Sequence, residues 1–314
     1  HRRLEVVERT NVLAHAAEPS ACEGRRRGPA RNPPARHNGR SPLRADPCEP
    51  ASLAAGILRL VREGIGEETF RRENARFRAA GRALAGSRDA EAKVETLDAL
   101  AERFGDHLPA SFNALRECLE EERDALVSAQ GNDDSKTRRL AALAAVEIAA
   151  GRAAVEHWSP AKSGWKLLAP GLKRSYKRGR DRFGDVLGDP SPENVHEWRK
   201  RVKDLWYHLR LLRDSWPEVL GVVTDQAHEL SDLLGDHHDL SVLAQDLENR
   251  HNLAGGSEES AAIAGLIEAR QEELLEAAVP IGERLYADPP RVFVERLHAD
   301  WRAWRPASQR RAAA

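Results

Sequence analysis

The amino-acid sequence predicts an all-α protein, and three observations carry this prediction. Apolar residues recur at helical spacing from Ala51 almost to the end of the chain. No segment shows a convincing strand pattern. Charged residues make up 32% of the chain and occur with many Ala, Leu, Arg and Glu, which is typical of helical proteins. With 314 residues, the chain is long enough for two domains or one large one.

The overall charge and the cysteine content exclude several classes of partner and site. The formal net charge is −1, so any affinity for anions depends on local segregation of charge rather than on bulk positive charge. The three cysteines show no paired spacing, which favours a reducing compartment over a disulfide framework or a zinc site. No apolar run has the length of a membrane span, and the first residues lack the apolar core of a secretory signal. These features predict a soluble cytoplasmic protein that does not engage a membrane.

Residues 1–50 are predicted to form a disordered or irregular tail. Prolines and the run Arg25-Arg26-Arg27-Gly28-Pro29 interrupt any helical period, and the first lysine of the chain is Lys93. A second interpretation is that the arginine run contacts nucleic acid or another anion. A third is that the stretch is non-native, frame-shifted sequence, which resequencing of the coding region would test.

The apolar spacing between Ala51 and Trp158 predicts a first helical bundle. A short helix ends at Gly64 and Gly66. Further helices are expected at about 67–86, 88–104, 109–129 and 134–158. Ser159-Pro160 ends the last of these and marks the best interior boundary. The predicted organisation is therefore a first bundle at 51–158, a second bundle at 159–305 and a short C-terminal tail at 306–314.

The second bundle is predicted to begin with a helix at about 163–187. Asp189-Pro190-Ser191-Pro192-Glu193 opens the next helix, because Pro and Glu suit a first turn. The helix that starts at Pro217 is expected to break or turn at Gly235-Asp236-His237-His238, with Asp239 as the N-cap of the helix that follows. The remaining helices are expected at about 239–252, 257–286 and 290–304.

The two halves resemble each other at an offset of about 150 residues. Leu58-Arg59-Leu60-Val61-Arg62-Glu63 matches Leu209-Arg210-Leu211-Leu212-Arg213-Asp214, and three positions of Arg78–Leu97 match His228–Leu247 in the same order. Matches in order and at consistent spacing favour a duplicated helical bundle. The basic residues discussed next are not duplicated. The first-half positions that mirror them are Ala45, Cys48, Glu49 and Ser52.

The helix at about 190–212 carries the clearest functional signal. At about 100° per residue, one of its sides is an apolar stripe wide enough to lie on a core. The other side carries charges of one sign together with a histidine and a phenol: His196, Arg199, Lys200, Lys203, Tyr207 and Arg210. The preceding helix has a similar side: Lys173, Tyr176, Lys177 and Arg180. Such one-signed faces are typical of an anion-binding wall, although a solvated basic face is the alternative.

Two motifs in this half resemble the CHAD family, the conserved histidine α-helical domain. The first is Val195-His196-Glu197-Trp198-Arg199-Lys200, and the second is Leu230-Ser231-Asp232-Leu233-Leu234-Gly235-Asp236-His237-His238-Asp239-Leu240. The resemblance covers about 51–304 and is strongest at 165–245. It implies two antiparallel bundles related by a pseudo-twofold axis, with a basic central channel between them. It also implies non-catalytic binding of inorganic polyphosphate, often at polyphosphate granules.

The resemblance also implies which residues hold the polyphosphate. On the basic helix they are His196, Arg199, Lys200, Lys203 and Tyr207, and on the preceding helix Lys173, Tyr176, Lys177 and Arg180. In the first half the candidates are Arg71, Arg72, Arg78 and Arg88. No cofactor is expected.

Two other functions are weighed against polyphosphate binding. A metal-dependent phosphohydrolase would use His196, His237, His238 and Asp239, but adjacent histidines point in different directions and no second cluster has ligand spacing. Nucleic-acid binding is less favoured, because few aromatic residues accompany the basic helix for base stacking. The tryptophans fall at helical core spacing and are predicted to be core residues.

Overall fold

The computed structural model describes residues 49–131, 134–249 and 257–305. All regular elements in these ranges are helices, so the prediction of an all-α protein is confirmed. None of the helices in the described ranges combines the length and the apolarity that crossing a bilayer requires. The predicted tails at 1–50 and 306–314 lie outside the described residues, except for Glu49 and Pro50, which begin the first helix.

The helices are numbered here in chain order. They are α1 (Glu49–Ile65), α2 (Glu67–Phe104), α3 (Phe112–Gly131), α4 (Asp134–Val155), α5 (Trp165–Gly188), α6 (Pro192–Leu212), α7 (Pro217–Glu248), α8 (Ser257–Leu285) and α9 (Pro290–Trp304). Short 3-10 turns follow α2 and α6. Proline begins α6, α7 and α9, where its missing N–H costs no hydrogen bond.

Two predicted helix breaks are wrong. Helix α2 runs without interruption through both of the helices predicted at 67–86 and 88–104. Helix α7 continues through Gly235, so Asp239 is an interior residue and not an N-cap. A glycine inside a helix costs about 1 kcal/mol relative to alanine. Burial of Leu234 and Leu240 on either side of Gly235 outweighs that cost.

Two large hydrophobic clusters form the core, and α7 contributes to both. The first joins α5, α6 and the first part of α7 to the end of α8 and to α9, with Trp198 and Leu234 among its members. The second joins the end of α2 and helix α3 to the last part of α7 and the start of α8, with Leu97 and Leu243 among its members. This second cluster combines residues from both sides of the boundary predicted at 158. The domain division and the internal duplication stay predictions.

Helix α1 lies between two layers of helices and is buried on both sides. On one side, Ala54 and Leu58 pack against Phe77 of α2. On the other side, α1 packs against α5 and α6. Gly171 of α5 approaches α1 so closely that a Cβ atom there would overlap the carbonyl oxygen of Leu60. Only glycine allows this distance between the two backbones.

The contact between α1 and α6 combines close approach with buried polar bonds. A Cβ atom on Gly56 would lie 3.0 Å from Cδ2 of Tyr207. The neighbouring ring of His208 is fully buried, and its Nε2 donates to the Gly56 carbonyl oxygen at 2.9 Å. The buried carboxylate of Asp204 accepts a hydrogen bond from Arg59 Nη1 at 2.6 Å and pairs with Arg201 at 3.1 Å. Both positive partners keep this buried carboxylate satisfied.

The α1–α5 contact predicts a strong effect of one methyl group. Gly171→Ala should lower the free energy of unfolding by about 1–3 kcal/mol or more, because the methyl group forces α1 and α5 apart. The measurement is the urea midpoint of the full chain. Gly184 lies on the same helix with nothing within 4 Å of a Cβ position, so Gly184→Ala is the matched control. It should raise stability by about 0.5–1 kcal/mol. Equal midpoints for the two variants would contradict the close contact.

Candidate anion-binding surface

Helix α6 presents three sides to different neighbours. Its apolar side, which includes Val195, Trp198 and Val202, lies in the first hydrophobic cluster, as the apolar stripe predicts. A second side, with Asp204 and His208, faces α1. The third side faces α7, and most of the basic helix-face residues belong to it. Burial of the first two sides fixes how the third is presented.

Helices α6 and α7 run antiparallel, and four contacts show their register. His196 lies on His238, Arg199 on Gly235, Trp206 on His228 and Arg213 on Gly221. Residue numbers rise along α6 as they fall along α7, so the line of contact is continuous. We call this line, with Lys200 and Lys203 beside it, the α6–α7 seam.

Two glycines of α7 lie beneath arginine side chains from the α6 segment. At Gly235 a Cβ atom would be 3.6 Å from Nε and 3.7 Å from Nη2 of Arg199. At Gly221 the guanidinium of Arg213 lies at 3.4 Å to 3.8 Å in the same way. The guanidinium of Arg199 therefore packs over helix backbone that carries no side chain. Gly235, which was expected to end the helix, instead makes room for the site arginine.

A pair of stacked imidazoles marks one end of the seam. The ring centroids of His196 and His238 are 4.2 Å apart, with 30° between the ring planes. Burial, together with the nearby His238, Lys200 and Arg199, lowers the pKa of His196 to about 4. Burial and the charge of Arg199 also lower the pKa of His238. Both rings are therefore neutral near pH 7. Nδ1 of His196 is buried and has no hydrogen-bond partner among the described residues.

The remaining predicted residues of α6 divide between the seam and the core. Lys200 is exposed and bonds Glu197 at 2.5 Å, and Lys203 is half-buried on the seam side. Arg210 is exposed, and its guanidinium lies 5.1 Å from the ring centroid of Trp206. The predicted role of Tyr207 in anion binding is wrong, because only 2% of this residue is exposed and it packs against α1. It belongs to the α1–α6 contact and does not present a hydroxyl to a bound anion.

The basic face of α5 is not brought to the seam. Lys173, Lys177 and Arg180 are exposed, but Lys177 pairs with Asp181, and Nε of Arg180 donates to the Tyr286 carbonyl at 3.2 Å. Tyr176 is fully buried, which corrects its predicted role. Its hydroxyl donates to the carbonyl oxygen of Leu285, at the end of α8, at 3.0 Å, and lies 3.1 Å from that of Asp288 in the following turn. Its ring stacks on Phe293 of α9. The contacts of this face are thus with α8, α9 and the turn between them.

The first-half candidates lie on α2. Arg71 pairs with Glu67 one turn earlier, and Arg72 pairs with Glu73, whose carboxylate is buried. Arg78 is exposed. The side chain of Arg88 lies outside the described residues. The contacts recorded for Arg71 and Arg72 are within their own helix and do not join them to the seam.

Several charged residues on the α1 side of α6 were not predicted from the sequence. Arg59 and Arg201 hold Asp204, and Arg174 of α5 pairs with Glu63 and donates to the Arg59 carbonyl at 2.7 Å. Arg201 and Asp204 are three residues apart on α6. The other contacts join residues that are more than a hundred positions apart, so no local pattern reveals them. The sequence named His238 only as a candidate metal ligand. Its position on the seam follows from the uninterrupted α7, where it lies one helical turn after Gly235 on the same side.

The histidines of α7 do not gather as metal ligands. His238 lies on His196, whereas the adjacent His237 is 97% buried, since a step of one residue turns the side chain by about 100°. Within the described ranges, no three His, Cys, Asp or Glu side chains come together in a way that could hold a metal ion.

Comparison with known families gives one match. The sequence model of the CHAD domain matches residues 55–248, which is more than half of the chain and includes α6, α7 and the seam between them. No curated protein and no solved structure matches at a significant level.

The neutral imidazoles predict a pH dependence of stability. His196 has a pKa near 4 when folded and 6.5 when unfolded, so the unfolded chain binds more protons between these values. The free energy of unfolding should therefore fall as the pH is lowered from 6.5 towards 4. His196→Gln should make this fall shallower in urea titrations at each pH. His157→Gln is the control, because His157 is exposed at the end of α4. A fall of unchanged steepness in His196→Gln would contradict the assignment.

Proposed function

Because the chain belongs to the CHAD family, we propose that it binds inorganic polyphosphate without catalysis, and that the α6–α7 seam is the binding surface. The observation that carries the proposal is the seam itself, where Arg199, Lys200 and Lys203 lie beside two stacked histidines. The match to the family covers the whole of this surface.

The spacing of the cations suits a linear polyanion. Lys and Arg one turn apart on a helix present a positive charge about every 5–6 Å. Polyphosphate carries about one negative charge per phosphate, so a row of cations matches it better than a single pocket does. Arg199 supplies a planar fork for phosphate oxygens, whereas Lys200 and Lys203 act as mobile point charges.

The register of α6 and α7 also supplies groups that respond to the ligand. An anion beside His196 and His238 favours their charged forms, and this opposes the burial that keeps them neutral in the free protein. Binding then takes up protons and adds positive charge at the end of the seam. The buried Nδ1 of His196, which has no partner in the described part of the chain, gains an acceptor when it is protonated beside phosphate.

The proposed channel has one basic wall from the second half. Gly56 and Tyr207 contact each other and are related by the repeat offset of about 150 residues, which supports a pseudo-twofold relation between α1 and α6. The first-half positions that mirror His196 to Lys203 carry no Lys or Arg. We therefore propose weaker binding than a channel with two basic walls would give, and association with polyphosphate granules through many repeated contacts along the polymer.

A triple substitution tests the proposed seam. Arg199→Ala/Lys200→Ala/Lys203→Ala should lower the affinity for long-chain polyphosphate at least about 100-fold, because three phosphate contacts are lost. The slope of log affinity against log salt should fall by about two to three units. Binding is measured by anisotropy with labelled polyphosphate at several salt concentrations.

The control for this triple substitution removes equal charge elsewhere. Arg116→Ala/Arg123→Ala/Arg291→Ala changes arginines that pair with acidic residues on α2, α3 and α9. It should leave the affinity and the salt slope unchanged. Equal losses in the two triple variants would show that only net charge matters and would reject the seam.

Proton uptake on binding predicts that the affinity for polyphosphate depends on pH. The affinity of the wild-type chain for polyphosphate should rise as the pH is lowered from about 8 to about 5, because the bound polyanion raises the histidine pKa values from their low starting points. His196→Gln/His238→Gln should bind with an affinity that is nearly constant over this range. A pH-independent wild type would exclude the histidines from the binding surface.

A further inference from the structure

A second surface of the molecule combines aromatic rings with cations, away from the histidine end of the seam. Trp165 at the start of α5 stacks on His298 of α9, with ring centroids 5.0 Å apart and 7° between the planes. Trp301 lies 6.0 Å from Trp165 and 5.6 Å from Trp304. All four rings are half-buried. Trp165 and Trp301 pack against the first hydrophobic cluster, in line with the prediction that the tryptophans are core residues, and they also keep part of their surface exposed. We call this group the aromatic corner.

The two segments that form the aromatic corner, 161–166 and 298–305, carry four cations and one carboxylate, that of Asp300. Lys162, Lys166 and Arg302 are exposed, and Arg305 is half-buried with Nη2 4.0 Å from the Cβ position of Gly164. Arg302 also lies close enough to His298 to help burial lower the pKa of that ring. In the described part of the chain, none of these four cations makes an ion pair.

The lack of ion pairs distinguishes the corner from the rest of α9. Arg291 and Arg296, earlier on the same helix, pair with Glu295 and Asp288 at 2.7 Å and 2.8 Å. A chain with a net charge of −1 has enough carboxylates to neutralise its cations. Positive charge is thus concentrated beside the rings, which favours an anionic ligand there.

From this geometry we propose that the aromatic corner binds single-stranded nucleic acid, with bases stacking on the rings and phosphates contacting Arg302, Arg305 and the two lysines. Flat aromatic surfaces next to cations are the combination by which proteins hold single strands without sequence preference. Polyphosphate has no ring to stack, so the aromatic residues contribute nothing to its binding. The proposal does not depend on the function of the seam.

The observations favour a single strand over a membrane. A helix that inserts into a bilayer interface presents a free apolar face, built from Trp, Phe or Leu, beside its cations. The apolar face of α9, with Phe293 and Leu297, is instead buried in the first hydrophobic cluster. The corner is also separate from the histidine end of the seam, whereas the other end, at Arg213, belongs to a 3-10 turn that contacts α9. Trp165 precedes Phe183, the α5 neighbour of Trp198, by about 27 Å along the helix.

Paired substitutions on α9 test the corner. The probe is a fluorescein-labelled oligothymidine of about 16 nucleotides, followed by anisotropy with the full chain. Arg302→Ala/Arg305→Ala should weaken binding about tenfold or more, and Trp304→Ala at least about fivefold. Arg291→Ala/Arg296→Ala is the matched control on the same helix, and it should bind like the wild type. Circular dichroism melts show that each variant is folded.

Three results would overturn the proposal. One is an absence of oligothymidine binding by the wild-type chain. Another is loss of oligothymidine binding in the seam variant Arg199→Ala/Lys200→Ala/Lys203→Ala with full binding in Arg302→Ala/Arg305→Ala, which would assign nucleic acid to the seam. The third is binding to phosphatidylserine vesicles that the α9 substitutions abolish while oligothymidine binding persists. Polyphosphate binding by Arg302→Ala/Arg305→Ala should be unchanged, which separates this test from the test of the seam.

Discussion

The close approach of α1 to α5 and α6 is the constraint on which the rest of the structure depends. Gly171 brings the α5 backbone onto Leu60, and Gly56 brings α1 onto Tyr207. These two contacts set the rotation of α6, because they place its Tyr207–His208 side against α1 while Trp198 enters the first hydrophobic cluster. A helix with two buried sides has only one direction left for its remaining residues. The orientation of Arg199 and Lys203 towards α7 follows from this packing.

The seam is locally basic, whereas the chain as a whole is nearly neutral. Most arginines in the described ranges are held in pairs with carboxylates, and the net charge of the whole sequence is −1. The antiparallel contact of α6 with α7 places glycine and histidine, rather than Asp or Glu, opposite Arg199 and His196. At Gly235 the facing helix offers no side chain to Arg199, and at His238 it offers a neutral ring to His196.

The sequence was sufficient for features that depend on local period. Helical spacing predicted the all-α fold, most helix ends to within a few residues and the apolar side of α6. Local rules failed where distant packing decided the outcome. Gly235 carries the usual signal for a break, but burial of Leu234 and Leu240 keeps α7 straight. Tyr176 and Tyr207 share a helix side with cations, yet α9 and α1 cover them.

The ion pairs and aromatic contacts between distant residues could not be predicted from the sequence either. Arg59 and Asp204 are far apart in the chain, and so are Trp165 and His298. Periodicity identifies which side of a helix is apolar but not which helix will cover it. A half-buried tryptophan at a helix end therefore has the same sequence pattern as a core tryptophan.

The continuity of α7 has a consequence for the dynamics of the molecule. Leu230 and Leu234 belong to one hydrophobic cluster, and Leu243 and Leu247 belong to the other. Neither cluster can open alone unless the helix frays between them, at the glycine beneath Arg199. We therefore expect the two halves of the core to unfold as one cooperative unit, and we expect the backbone amides at the centre of α7 to be among the slowest to exchange with solvent. A ligand that binds at Gly235 and prevents this fraying would slow amide hydrogen exchange in both clusters, including residues that it does not contact.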